Sequence, residues 1–264
     1  MKVALTIAGS DSGAGAGIQA DLKTFAAHGV YGTSAVAAVT AQNTVGVTAL
    51  VALSADMVTA QIEAVASDIG VDAVKTGMLP NAAIVEAVAA AIDTLELPLV
   101  VVDPVMVAKS GDWLLEQEAV AAIRAELLRR AFVVTPNAPE AEALAVISVR
   151  TVADAREAAR RILKLGPSAV VVTGGHLEGD EVVDLLYDGH AFTEFRGPRL
   201  DSRHSHGSGC TFAAALAANL ALGRSLSDST GRAKAYVAGA LRHGLAIGRG
   251  CGPMDHFWNG VARG

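Results

Sequence analysis

Short aliphatic runs alternate with segments of helical periodicity along most of this chain, and that rhythm constrains its fold more than any single motif. Residues 3–8 read as a strand and the polar, glycine-rich stretch 9–17 as a loop. Residues 18–28 read as a helix, with Leu22, Phe25 and Ala26 on one face and Gly29 as its stop. A second strand covers 34–40, and 45–53 adds edge strands. Ser54 caps a helix to about residue 67, and Pro80 opens another to about residue 95 as a first-position proline does. Strands at 73–75, 99–103, 132–135 and 169–173 are separated by helices at 117–130 and, behind the Thr151/Asp154 capping box, to residue 165. Strands apolar along their whole length must be covered on both faces, which is the situation of parallel strands crossed by helices.

The rhythm changes late. Residues 181–187 and 192–195 flank Asp188-Gly189 and read as an antiparallel hairpin, and helices at 209–222 and 226–247 close the chain. Nothing resembles a linker, a repeat or a low-complexity segment, so residues 1–264 are expected to form one domain. The class is α/β: a mostly parallel open sheet, helices on both faces, and a late antiparallel hairpin. Ligands of such sheets lie beyond the carboxyl ends of the strands. The loops after Ala8, Thr40, Lys75, Asp103 and Thr135 are therefore the ones expected to matter.

Apolar residues make up 52% of the chain, charged ones 18% and aromatics only 4%, so the core is expected to be Ala, Val and Leu. The net charge of −6 comes without a basic stripe, which excludes ordinary nucleic-acid binding. Two cysteines, Cys210 and Cys251, lack metal-finger spacing, and a disulfide is disfavoured in a long α/β chain. No apolar run approaches the ~18 residues of a membrane span, and the one at 3–8 is too short for a signal sequence. A soluble cytoplasmic protein is expected.

The strongest chemical signal is His206-Gly207-Ser208-Gly209-Cys210-Thr211, followed at once by an apolar helix. Two glycines let successive N–H groups converge at a helix start, which favours an anion through exposed amides and helix dipole together. Cys210 would sit beside a phosphoryl group held there, and the same dipole would lower its thiol pKa. The alternative is a glycine- and serine-capped helix with an inert buried cysteine. No G-x-x-x-x-G-K-[ST] phosphate loop is present. The run Gly13-Ala14-Gly15-Ala16-Gly17 imitates a dinucleotide fingerprint, but no acidic residue closes the second strand to grip a ribose.

The stretches Ala8-Gly9-Ser10-Asp11-Ser12-Gly13, Ala16-Gly17-Ile18-Gln19-Ala20-Asp21-Leu22-Lys23 and Thr40-Ala41-Gln42-Asn43-Thr44 resemble the hydroxymethylpyrimidine/phosphomethylpyrimidine kinases of thiamine biosynthesis. So do Lys75-Thr76-Gly77-Met78-Leu79, the run from Asp103-Pro104 to Gly111-Asp112, Thr135-Pro136-Asn137 and Gly174-Gly175-His176. With the Gly-Cys turn they cover nearly the whole chain in order. The resemblance implies a ribokinase-like fold and ATP-dependent, magnesium-dependent phosphorylation of the pyrimidine and then of its monophosphate. It also implies a homodimer.

On that resemblance, Gly207, Gly209 and Cys210 form the catalytic turn, while Gln42 reads the pyrimidine's ring nitrogen and amine, since an amide both donates and accepts. Gly9, Asp21 and Met78 line the same pocket; on residue chemistry alone Asp21 also suits a solvated first turn, and Met78 ordinary core filling. Asn137 and Glu140, three apart at a helix start, would hold magnesium and phosphate through water, or simply cap the helix. Ser208, Lys234 and Lys109 are candidate nucleotide-phosphate contacts, though either lysine also suits a solvated surface. Two departures from the family pattern stand out: His204 replaces a small amide near the nucleotide side, and Thr173 stands where many relatives have lysine before Gly174-Gly175-His176. Pyridoxal kinase is the nearest alternative substrate reading. A ligand sensor on a kinase fold and a dinucleotide-dependent oxidoreductase are the alternatives of other classes.

Overall fold

The computed structural model describes residues 1–106 and 117–260. Its centre is one nine-stranded sheet in the order β3-β2-β1-β4-β5-β6-β7-β8-β9. The strands are β1 (Val3–Asp11), β2 (Tyr31–Gln42), β3 (Val47–Ala52), β4 (Ala73–Thr76), β5 (Val100–Val102), β6 (Val133–Val134), β7 (Val170–Val172), β8 (Glu181–Tyr187) and β9 (Phe192–Pro198). Strands β2, β1, β4, β5, β6 and β7 run parallel. Antiparallel β3 closes one edge and the β8–β9 hairpin the other. The expected architecture therefore holds, late hairpin included.

Helices lie on both faces because successive side chains of a strand point to opposite sides. Val100 and Val102 enter one core, with α2 (Ala55–Asp68), α3 (Ala82–Thr94), α4 (Gln117–Ala122), α5 (Ala138–Ala145) and α6 (Val152–Leu163). Val101, between them, enters the other, with α1 (Gly17–Ala27), α7 (Ser208–Ala221) and α8 (Leu226–Arg242). Every residue of α7 from Thr211 to Ala221 is buried, and its alanines let it pass close between sheet and neighbouring helices.

Several boundaries differ from expectation for local reasons. Asn81, not Pro80, starts α3: its side chain accepts from the Ile84 N–H, so the proline lies ahead of the cap. The helix expected over 117–130 is α only to Ala122, widens into a π turn at Ile123–Leu127 and then tightens into a 3₁₀ turn at Leu128–Arg130. The last helix stops at Arg242 rather than at residue 247, and residues 243–260 fold back without a further helix or extended strand.

Candidate active site

The parallel strands end on a cleft of about 810 Å3. Ala8, Thr40, Lys75, Asp103 and Thr135 all reach its wall, so the strand-end loops are the ones that sequence reasoning selected. Gly9, Gln42 and Met78 line it together with Asn137, Glu140 and the turn His206 to Cys210, and Gln42 reaches His206 directly. A register shift between Ala8 and Gly9 breaks the β1–β2 ladder at this point, where β1 meets the cleft.

The glycine turn is built by two loops locking together. Gly207 takes φ +80 as the residue before α7, and a Cβ there would collide with the Gly15 carbonyl. A Cβ on Gly15 would in turn collide with the His206 imidazole. The early glycine run is thus a seat for the late turn rather than a dinucleotide fingerprint. Asp11 organises that seat: its carboxylate accepts from the N–H groups of Gly13 (2.8 Å), Gly15 (3.1 Å) and Ala16 (2.9 Å), and pairs with His206 Nε2 at 3.0 Å. Burial alone would raise this carboxyl, but His206 and the backbone donors outweigh it and hold it below the usual range. Asp11 and His206 both stand in motifs that the sequence offers, but neither carries a role there. The signal available was an acid just before a glycine run and a histidine opening the Gly-Cys turn.

Chain beyond α8 straps the same region. The Cys251 N–H donates to the Thr44 carbonyl (2.9 Å) and the His206 N–H to the Gly252 carbonyl (3.2 Å). His204 turns toward this strap, against Gly244 and Gly252, with its buried Nδ1 lacking a hydrogen-bond partner, and it is absent from the cleft wall. Thr173 does reach the wall.

Gln42 sits half-buried, with Oε1 3.1 Å from Thr40 Oγ1 and Nε2 3.3 Å from His206 Nε2, an amide orientation that hydrogen-bond chemistry can exchange. The Thr40 hydroxyl has one proton and places it on the Ser10 carbonyl at 2.9 Å. The arrangement that satisfies every partner turns the Gln42 NH₂ toward Thr40 and its carbonyl toward a His206 Nε2–H shared with Asp11. One amide N–H and one carbonyl lone pair then remain for a ligand.

Three residues depart from the sequence reading. Asp21 does not line the cleft: fully buried, it accepts from Thr6 Oγ1 (2.6 Å) and pairs with Lys75 Nζ (2.9 Å). Lys234 is likewise absent from the cleft wall; its ammonium pairs with Asp184 (3.0 Å) and donates to the Val182 carbonyl (3.1 Å). Lys109 lies outside the described residues. The third departure is electrostatic and concerns Cys210. Its thiol is pushed up to about 12, by burial first and by Asp103 and Asp21, against the opposing pull of Lys75 and the Gly17 N–H. Desolvation and two nearby carboxyls outweigh the helix start that was expected to lower it.

Of the two roles considered for Asn137 and Glu140, the structure shows the helix cap. They make a reciprocal cap on α5, with Glu140 N–H to Asn137 Oδ1 at 3.0 Å and Asn137 N–H to Glu140 Oε2 at 2.9 Å, and both face the cleft. Burial, then Asp103, raises the Glu140 carboxyl well above its ordinary range. Among the described residues no cluster of three or more histidine, cysteine or acidic side chains is arranged as a metal cage. One carboxylate and one amide, already tied to backbone, suit a hard cation that keeps most of its ligands as water and phosphate. Ser208 and Gly209 complete the wall, and as at any helix start the leading N–H groups of α7 have no intrahelical acceptor.

An open-sheet cleft walled by a glycine turn at a helix start, with Gln42 beside it, is the arrangement a small-molecule phosphotransferase needs. The phosphomethylpyrimidine kinase family model matches residues 11–255. The hydroxymethylpyrimidine/phosphomethylpyrimidine kinase of Synechococcus elongatus is 51% identical over 259 residues, covering 98% of both chains. This chain belongs to the phosphomethylpyrimidine kinase family. Among solved structures, an ADP complex of Bacillus subtilis pyridoxal kinase superposes with a TM-score of 0.91 at 40% identity, over 97% of this chain and 98% of that one. A phosphomethylpyrimidine kinase from Clostridium difficile gives 0.81 at 41%, over 90% and 98% respectively.

Proposed function

We propose that this chain transfers the γ-phosphoryl group of ATP to 4-amino-5-hydroxymethyl-2-methylpyrimidine, and then a second one to the resulting monophosphate. The observation that carries the reading is that Gln42, Met78 and the Gly207–Cys210 turn line one cleft at the strand ends. The free N–H and lone pair of Gln42 match a ring that offers a nitrogen acceptor beside an amino donor. Met78 supplies an adaptable apolar contact for the ring. The substrate oxygen attacks the γ-phosphorus while the bond to the β-phosphate oxygen breaks; ADP leaves and the hydroxyl proton passes to water. In the second round an oxygen of the bound monophosphate is the nucleophile.

Residue roles follow from what each atom can do. The α7 N–H groups and the Ser208 hydroxyl stabilise charge gathering on the transferred group, the largest contribution such sites make. Cys210 holds a neutral thiol beside it and orients the acceptor; a loose phosphoryl-transfer transition state asks little of a base. Asn137 and Glu140 would hold Mg²⁺ through water. When bound, that ion neutralises phosphate charge. A cytoplasmic location, with ATP at hand, belongs to the same reading. So does a homodimer, since β3 leaves Leu50 and Val51 exposed along an open sheet edge.

The pyridoxal kinase likeness, at a TM-score of 0.91, supports pyridoxal as a second substrate. Mass spectrometry of the purified protein with ATP, Mg²⁺ and the pyrimidine, with pyridoxal in parallel, tests both readings. Successive mono- and diphosphate products support the first. Phosphorylation of pyridoxal alone replaces it with the second, and turnover of neither overturns both.

A further inference from the structure

We propose that Lys75 is a positioning residue for phosphoryl transfer: its buried ammonium sets the charge and placement of Asp103 and, through it, the placement of Cys210 beneath the glycine turn. Lys75 is fully buried at the end of β4, yet it reaches the cleft floor. Its Nζ lies 2.9 Å from Asp21 Oδ2 and 3.7 Å from Asp103 Oδ2. Asp103 in turn accepts a hydrogen bond from the Cys210 thiol. Gly77 makes room for this arrangement, because a Cβ there would fall 2.7 Å from the ammonium.

The charges do not balance. One buried cation faces two buried carboxyls, and Asp21 Oδ1 and Asp103 Oδ2 have no hydrogen-bond partner. A purely structural pair would be matched and saturated, because an incompletely paired buried charge destabilises the fold. An unsaturated cluster at the floor of a cleft is instead the pattern of a site in which charge changes during the reaction. Burial alone would lower the lysine, but the Asp21 and Asp103 carboxyls hold it strongly protonated. Lys75 is thus a fixed positive charge directly behind the atoms nearest the transferred group. It acts through Asp103 and Cys210 rather than by touching substrate.

The inference rests on this cleft being the phosphoryl-transfer site, so its test includes a readout that needs no turnover. Lys75→Met alone leaves two carboxyls facing each other and is a poor test. The informative comparison is Lys75→Met/Asp21→Asn against Asp21→Asn, both checked for a cooperative thermal transition. Iodoacetamide labelling of Cys210 is followed by peptide mass spectrometry at a fixed pH of about 9. Loss of the cation is expected to slow labelling about tenfold or more, the effect of one pKa unit on thiolate population. Phosphorylation kinetics are expected to show kcat at least about 100-fold below Asp21→Asn, with KM for both substrates within about threefold. Equal labelling and equal kcat in two folded proteins would overturn the proposal and leave Lys75 as a scaffold ion pair. Slower labelling in a protein whose parent phosphorylates nothing would sink the kinase reading while leaving the Lys75–Cys210 coupling in place.

Discussion

Cys210 shows how far a residue's neighbours can reverse its local chemistry. A cysteine at a helix start is expected to be acidic, yet here burial and two carboxyls push it up to about 12. A thiol so placed is neutral across the working range of an enzyme. Cys210→Ser is therefore expected to keep kcat within about tenfold, with no thiol inflection lost from the pH–rate profile between about 6 and 9. A loss on the order of a thousandfold would make the thiol an obligatory base. Asp11 carries the opposite sign. Its folded carboxyl sits below the unfolded value of about 3.9. Its stabilisation is thus present above that value and lost as pH falls through the folded one. Asp11→Asn, which keeps the shape and loses the charge, is expected to reduce stability at pH 7 by about 1–3 kcal/mol. In denaturant titrations the gap to the parent should narrow as pH falls below the unfolded value of about 3.9, and a constant gap would assign the loss to shape alone.

At the scale of elements, Lys234 illustrates why a cation cannot be given to a ligand from spacing alone. It lies on α8, and β8 reaches it first: Asp184 takes its ammonium at 3.0 Å while the other Asp184 oxygen accepts from the Gly174 N–H at 2.7 Å. One ion pair therefore ties α8, β8 and the Gly174 turn together. Removing one partner of such a pair leaves a buried charge uncompensated. Lys234→Met is expected to lower stability by about 2–3 kcal/mol, below the fully buried range because the lysine is partly exposed. The KM for ATP should stay within about threefold; a tenfold rise would return Lys234 to the nucleotide. The cap of α5, by contrast, was legible from Asn137 and Glu140 alone. A reciprocal cap needs only the right side chains three residues apart, and nothing distant competes for them.

For the molecule as a whole, the open question is the uncovered edge. β3 is exposed along most of its length, Val51 by 67% and Val45, just before the strand, by 63%. An apolar edge of this kind is ordinarily blunted by charge or covered. Val51→Lys is expected to shift sedimentation from dimer to monomer at micromolar concentration while leaving the thermal transition of the subunit in place. A protein that sediments as a monomer before and after the change would remove the dimer from the proposed function.

The order of strands and helices, the two-faced sheet, the late hairpin and the strand ends that carry the cleft were all readable from the chain. They depend on periodicity and on turn residues, which act over a few positions. The Gly207–Cys210 turn and the Asn137/Glu140 pair were readable for the same reason. What the chain alone left open was every property set by partners far apart in sequence. Gly15 serves as the seat of His206, nearly two hundred positions away, and Asp21 is spent on Lys75 rather than on a ligand. The acidity of Cys210 is decided first by burial and then by Lys75, Asp103 and Asp21, which only the folded sheet brings beneath it. Local pattern determines which elements form, because backbone geometry repeats every few residues. Charge state and accessibility are settled only by packing, because desolvation and Coulomb forces act through space rather than along the chain.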